Sequence, residues 1–422
     1  MVVRRSLGRW VDPAVAWQAL LSTEPLSFWL DCGPDATTGI SYLGAGTRLI
    51  DTDALATLSA TIPPPSPSAS ASPSFQLGWV GWLGYELRGH TMQEPVPPHS
   101  LPSAALMFVE RALAFDHATR EVTLLSLEDD DSAWEFDAVP PRPTAPPATT
   151  ATWRYTDAEY LAMIEACQDA IAAGDAYQLC LTSEVAIDVR PDPFSTYLSL
   201  RESSPSHHGG LIVTGETALL SASPEQFLSV TPSGRVSSSP IKGTRKRSAD
   251  PVEDAALAAE LLASDKERAE NLMIVDLMRN DIGRVSEVGS VTVSQLLAVE
   301  SYPHVHQLVS TVEGQLAAGL TAVDAVAATF PAGSMTGAPK LSATRILAGL
   351  EQRPRGIYSG AFGYFSLDGS VDLAMVIRSI VLTPDGATVG AGGGITALSV
   401  PEEELAEVKL KAAALLRVLG VA

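Results

Sequence analysis

Gln178-Leu179-Cys180-Leu181-Thr182-Ser183-Glu184-Val185 is the stretch on which the fold turns. It predicts a strand, being largely apolar with Thr and Val interspersed. Two more strand-like segments follow at 210–213 and 218–221. Upstream, Thr156-Asp157-Ala158-Glu159 is a capping box. It opens a helix that carries Leu161, Ile164, Cys167 and Ile171 on one face and ends at Gly174. Downstream, a helix is predicted over roughly 253–281. Strands are predicted near 290–293, 306–312, 360–365, 374–382 and 388–391, and a last helix from about Glu402. Nearer the start, the apolar run Gly78–Tyr85 and the segments 112–115 and 122–127, around an Asp116–Arg120 turn, also read as strands. Strands outnumber helices with no regular βα alternation, so the pattern predicts an α+β fold rather than a doubly wound sheet.

The chain has 422 residues and is 46% apolar, enough to bury a large core. Its 28 Lys and Arg stand against 49 Asp and Glu, a net charge of −21. Such a charge repels nucleic acid and anionic membranes. It also means that an anionic substrate must be held by a few placed cations, backbone N–H groups or a metal. Cys32, Cys167 and Cys180 are odd in number and widely spaced, which predicts free thiols in a reducing compartment. The start carries Arg4 and Arg5 without a continuous apolar run, unlike a signal peptide. No run approaches the ~18 apolar residues of a membrane span. A cytoplasmic chain is expected. Residues 62–74 are Pro/Ser/Ala-rich and read as a surface loop, and Glu128–Asp131 as a solvated acidic run. Residues 139–152 read as a Pro-rich linker between an N-terminal region, 1–138, and a catalytic region, 153–422.

Several clusters can carry chemistry. Lys242 lies in Pro240-Ile241-Lys242-Gly243-Thr244-Arg245, a lysine between a turn-former and a glycine. It is either a nucleophile or a solvated loop residue. Glu267 and Glu270 are helical i, i+3 neighbours, and Glu404, Glu407 and Lys411 repeat that spacing on the last helix. Each set is either a solvated acidic face or half of a metal site. Two such sets brought together would suit Mg²⁺, which takes one or two carboxylates at ~2.0–2.1 Å and keeps water or substrate. Val389-Gly390-Ala391-Gly392-Gly393-Gly394-Ile395 reads as a strand end and a loop that a ligand can approach. Gly333-Ser334-Met335-Thr336-Gly337-Ala338-Pro339-Lys340 lacks P-loop spacing. It is either a carboxylate cradle at a helix start, with Pro339 as first helical residue, or an ordinary turn. His304 and His306 lack the neighbours that zinc would need.

Taken together, Ser223-Pro224-Glu225, the run from Ala269 through Glu270-Asn271-Leu272-Met273 to Asp281, Gly333–Lys340 and Ala391–Ile395 resemble the chorismate-utilising enzymes. These are the anthranilate, aminodeoxychorismate, isochorismate and salicylate synthases. The resemblance covers residues 155–418 strongly and continues through Phe28–Asp31 and Gly78–Tyr85. It implies a four-layer α/β/β/α sandwich of two orthogonally packed, mainly antiparallel sheets, to which the N-terminal region contributes.

The resemblance also implies roles. Gln178 stands where water-adding members carry a lysine base, so ammonia is the implied nucleophile. Lys242 stands where anthranilate synthases have a small apolar residue. It is implied to attack C2 of chorismate and expel the 4-hydroxyl, after which ammonia adds at C4. An ordinary lysine is almost wholly protonated at neutral pH, so its proton must first be taken. Glu225 matches the general acid. Glu270 and Glu407 match the Mg²⁺ ligands, with Glu267 and Glu404 as helpers. Arg378, Lys411 and the backbone of Ala391, Gly392, Gly393 and Gly394 match groups around the substrate's carboxylates. His306, Thr336 and Tyr358 match other pocket positions, as do Gly337 in Gly333–Lys340 and Thr244 in the Pro240–Arg245 segment.

This chain departs from the family pattern at Cys180, Thr396 and Leu398, and has Trp29-Leu30-Asp31-Cys32 where tryptophan-regulated members carry an inhibitor-binding motif. No cysteine segment resembles the nucleophile motif of a glutamine amidotransferase, so ammonia is expected from such an enzyme on a separate chain. Two rival readings are an anthranilate synthase component I and a chorismate-binding regulator without activity.

Overall fold

The computed structural model describes every residue except 1, 67, 71, 130–135, 137–142, 145, 147, 303 and 422. Much of the predicted linker and part of the acidic run therefore lie outside the described residues. Two antiparallel sheets organise the rest. The 12-stranded sheet runs Val3–Ser6, Glu121–Ser126, Arg111–Asp116, Ile40–Ala45, Leu26–Asp31, His208–Thr214, Thr217–Ser223, Ser379–Thr383, Gly386–Ile395, Gln178–Ile187, Gly337–Ala338, with Thr152–Trp153 also on Gln178–Ile187. The 10-stranded sheet runs Ile241–Lys246, Val305–Gln315, Arg235–Ser238, Gln226–Val230, Val371–Met375, Ala361–Ser366, Gly78–Leu83, Ala104–Val109, Arg48–Ile50, with Thr292–Ser301 beside Val305–Gln315.

Strand periodicity explains why the sheets stack. Every residue of Gly78–Leu83 is buried. Val80 and Trp82 pack with Phe28, Ile212 and Leu219 of the other sheet, whereas Trp79 and Leu83 belong to the core on the opposite face. Successive side chains point to opposite faces, so a strand apolar at nearly every position must be covered on both sides. The covers are helices. Pro13–Leu20, Asp157–Ala172, Pro193–Ser203 and Pro401–Val418 place Trp17, Ile164, Tyr197 and Val408 on the 12-stranded sheet. Asp265–Gly283 and Ala322–Thr329 place Ile274, Met278 and Val326 on the other. The result is helix, sheet, sheet, helix, an α+β fold. Each fully buried aliphatic or Phe side chain contributes about 1.5–3 kcal/mol of apolar burial.

Several elements differ from the sequence expectation. The single helix over 253–281 is two, Pro251–Ala263 and Asp265–Gly283, because Ser264 caps the second by accepting from Glu267 N–H at 3.4 Å. The strand over 374–382 is also two. Val371–Met375 belongs to the 10-stranded sheet and Ser379–Thr383 to the 12-stranded one, and Arg378 turns between them at φ 51°. The segment 390–395 is a strand and not a loop, paired residue by residue with Leu179–Glu184. The strand expected at 290–293 is Thr292–Ser301. Pro339 is the N-cap of Lys340–Glu351, one residue outside the helix. The helix Pro193–Ser203, capped by Asp192, has no counterpart in the sequence reading. Among the described residues, no helix is long and apolar enough to cross a membrane.

Candidate active site

Lys242 is the second residue of Ile241–Lys246. Its approach is pinned by Pro240, whose carbonyl accepts from Ser310 N–H at 3.2 Å and Asn271 Nδ2 at 3.4 Å. Gly243 follows with φ 80°, and a Cβ there would lie 2.7 Å from the Glu267 carboxylate. Only glycine lets this strand come so close to the Asp265–Gly283 helix. Glu225 sits between Thr217–Ser223 and Gln226–Val230, almost fully buried. The Ser334 hydroxyl, the Ile241 N–H and Lys242 stand near its carboxyl and favour its charged form. Burial raises the Glu225 pKa against the opposing pull of Lys242 and these two donors. A carboxyl so placed keeps its proton more readily than an exposed one, as a general acid requires.

Two helices from opposite outer layers bring their carboxylates to this lysine. Burial raises the Glu270 pKa, opposed by Lys242 and Lys266 and reinforced by Glu267 and Glu404. Glu407 is lowered: burial acts against it, and Lys411, Lys266 and Lys242 outweigh burial. Lys411 Nζ lies 2.7 Å from Glu407 and donates to Gly392 O at 2.9 Å. Glu404, 3% exposed, accepts from Ser399 Oγ at 2.7 Å and lies 3.4 Å from Lys266 Nζ. Glu267 pairs with Arg245 at 3.4 Å. The two acidic faces are therefore one cluster, interleaved with Lys242, Lys266 and Lys411. Its oxygen donors suit a hard divalent cation, and Glu270 has no hydrogen-bond partner among the described residues. No three His, Cys, Asp or Glu among the described residues form a ready-made metal cage. Mg²⁺ needs only one or two carboxylates beside water and substrate, so this donor set fits it.

The remaining wall is strand backbone. Gln178 and Leu179 pair with Ala338 and Gly337, and Leu179 to Glu184 pair on their other edge with Ile395 to Gly390. Gly337, at φ 135°, brings its Cα so close that a Cβ would meet Gln178 O at 2.1 Å. Gln178 is 1% exposed and its Oε1 has no hydrogen-bond partner. Thr336 is wholly buried, its hydroxyl donating to Ala332 O at 3.2 Å. Ser379–Thr383 pairs with the Gly386–Ile395 strand only as far as Val389. Beyond that point Ala391, Gly392, Gly393 and Gly394 have one edge open, where alternate N–H groups are free to meet a ligand. Arg378 stands at that opening. Burial lowers its pKa, with Tyr358 and Glu407 acting the other way, so both lie near it. Tyr358 is 8% exposed, its ring against Gly390. A cavity of about 1100 Å³, lined by Tyr177, Leu272, Asp281 and Lys340, contains none of Glu225, Lys242, Glu270 or Glu407. Convergent charge, and not cavity size, marks this site.

Comparison with known proteins identifies the family. The chorismate binding enzyme family matches residues 44–417. The chain belongs to this family. An aminodeoxychorismate synthase of Streptomyces griseus is 42% identical over the whole of this chain and 64% of its own length. One of Streptomyces pristinaespiralis is 44% identical over 80% of this chain and 50% of its own. The chain thus spans less than two thirds of these relatives. A solved structure, anthranilate synthase component I of Streptococcus pneumoniae TIGR4, has TM-score 0.76 and 31% identity, covering 96% of this chain and 97% of its own.

Not every residue suggested by the family resemblance reaches the chorismate-binding enzyme's charged cluster. His306 is 3% exposed, but its Nδ1 meets Ser301 Oγ at 2.8 Å and its Nε2 meets Asp254 at 3.0 Å. Both ring nitrogens are thereby engaged on the side of the Pro251–Ala263 helix. Asp254 is in turn paired with Arg247 at 2.8 Å, which with the Ser248 N–H holds it well below the usual carboxylate range. Thr244 is exposed and its carbonyl accepts from Arg245 Nη1. Lys266, read in the sequence with Arg268 as a counter-charge to Glu267 and Glu270, pairs instead with Glu404 of the last helix. Sequence reasoning passed over Ser334 as a neighbour of Glu225 and Arg355 behind the Gln178 wall. Ser334 lay in the matched string Gly333–Lys340 and could have been found there; nothing near Arg355 pointed to it.

Proposed function

We propose that this chorismate-binding enzyme aminates chorismate at C4, giving 4-amino-4-deoxychorismate. The observation that carries the reading is Lys242 set among Glu225, Glu270 and Glu407, close enough to favour the charged form of each carboxylate. Lys242 gives its ammonium proton to solvent, and its amine then attacks C2 and forms the C2–N bond. The ring double bonds shift, the C4–O bond breaks, and Glu225 gives the departing hydroxyl its proton, so that water leaves. Ammonia then adds at C4, the double bonds shift back, and the C2–N bond to Lys242 breaks. Gln178, with no base in its place, leaves ammonia as the nucleophile. Arg378, Lys411 and the open edge at Ala391–Gly394 hold the carboxylates of the substrate. Glu270 and Glu407, with Glu267 and Glu404 beside them, would hold Mg²⁺, which would supply positive charge for the ring carboxylate. The ammonia would come from a glutamine amidotransferase on a separate chain, and the product would lead toward p-aminobenzoate and folate.

Incubation with chorismate, Mg²⁺ and ¹⁵N-ammonium tests the reading. Labelled 4-amino-4-deoxychorismate, seen by mass spectrometry, is the expected product. Anthranilate fluorescence appearing with no lyase present would assign the chain to the anthranilate branch instead. Absence of any turnover would leave a chorismate-binding regulator.

A further inference from the structure

Arg355 is 3% exposed and touches none of the charged cluster, yet its guanidinium reaches three segments that each carry a pocket residue. Its Nη2 donates to Cys180 O at 2.9 Å, two residues from Gln178. Its Nη1 donates to Met335 O at 2.7 Å, next to Thr336, and to Ser359 Oγ at 3.4 Å, next to Tyr358. Nε and Nη2 also donate to the two oxygens of Glu351 at 2.9 and 2.7 Å. Glu351 holds the same strand from a second point, accepting from Thr182 N–H at 3.0 Å and Thr182 Oγ1 at 2.9 Å. The guanidinium lies 4.3 Å from the Tyr85 ring centroid, and Arg355 N–H donates to Glu86 at 2.9 Å.

We propose that Arg355, backed by Glu351, is a positioning residue that sets the spacing between the Gln178, Thr336 and Tyr358 walls of the pocket. It rests on the function proposed above. A planar fork with five fixed donors can bridge two carbonyls and a carboxylate at once, and an ammonium cannot. Strand pairing alone does not do this, since Gly337–Ala338 makes a ladder of only two residue pairs. The substrate's carboxylates are held by Arg378 and Lys411 on other elements. Loosening this clamp should therefore misplace the reacting end of the substrate pocket more than it weakens binding, and a 1 Å misplacement costs on the order of 10²-fold in rate.

Arg355→Lys keeps the charge and removes the bridge. In the folded variant, kcat for chorismate should fall about 10²-fold while KM moves less than about threefold. Amide exchange should quicken at Cys180 N–H and Tyr177 N–H, which bond Thr336 O and Ala338 O, and stay unchanged in Ala104–Val109. Parental kinetics with parental protection overturns the proposal. So does protection lost evenly through both sheets, which would make Arg355 a stabilising residue only. If the parent protein does not consume chorismate, the function reading fails, while the exchange measurement still decides whether Arg355 positions the wall.

Discussion

At the scale of single residues, the proposed chemistry would depend on two groups whose environments differ. Lys242→Ala should reduce aminodeoxychorismate formation below about one hundredth of the parent rate, because no other amine in the cluster stands beside Glu225. Product analysis with ammonium checks this, and an unchanged rate would remove the covalent step. Glu225→Gln should lose on the order of 10²–10⁴-fold in kcat. The Glu225 pKa is raised by burial, so its acid form persists to higher pH than that of an exposed glutamate. The rate should be full below that raised pKa and fall as pH rises through it. A kcat–pH profile that keeps this descending limb in Glu225→Gln would assign the proton donor elsewhere. Glu225 stood out in sequence because it lies in a matched string, and Lys242 because it sits between a turn-forming Pro and a Gly; both are found near the acidic cluster. The placement of His306 was not legible, since its direction depends on Asp254 and Ser301 across the sheet edge.

At the scale of elements, close backbone approach does what a bulkier pocket would prevent. A Cβ on Gly394 would lie 2.2 Å from Gln178 Nε2, the far end of a movable side chain. Gly394→Ala should displace that amide and lower kcat/KM about tenfold with little loss of stability. Gly390→Ala meets the Tyr358 ring at 2.1 Å, surrounded by packed atoms. It should cost about 1–3 kcal/mol by overpacking, read as a shift in denaturant midpoint. Parental stability in Gly390→Ala would show that the ring moves freely. The strand character of 390–395 was hidden because glycines carry no strand signal and its partner, Gln178–Ile187, lies about 200 residues away. The crossing at Arg378 was hidden because a continuous apolar, strand-like run flanks the turn on both sides. The cap of Pro193–Ser203 was readable, Asp192 followed by Pro193 being a start signal.

At the scale of the whole molecule, one carboxylate between the sheets adds its own pH dependence to stability. Asp372 is partly buried, and desolvation raises its pKa to about 6 against a Gln226 hydrogen bond at 2.9 Å. In the unfolded chain it titrates near 3.8. The folded form therefore binds more protons between these values, and stability falls as pH rises from about 4 to about 6, then stays level. Asp372→Asn keeps the acceptor and removes the charge. It should be more stable than the parent at pH 7, by on the order of 2–3 kcal/mol, and nearly equal to it below pH 4. Urea melts at the two pH values check this, and a variant less stable at pH 7 would contradict it. The sheets are also interleaved along the chain. Gly78–Leu83 pairs with Ala361–Ser366, and Leu26–Asp31 with His208–Thr214. Seen during synthesis, this becomes a matter of waiting. The Gly78–Leu83 strand leaves the ribosome roughly 280 residues ahead of its neighbour Ala361–Ser366. At about 5–20 residues per second, Val80 and Trp82 spend roughly 15–60 s without the strand that completes their sheet, and the nascent chain must be kept from sticking to others for that long.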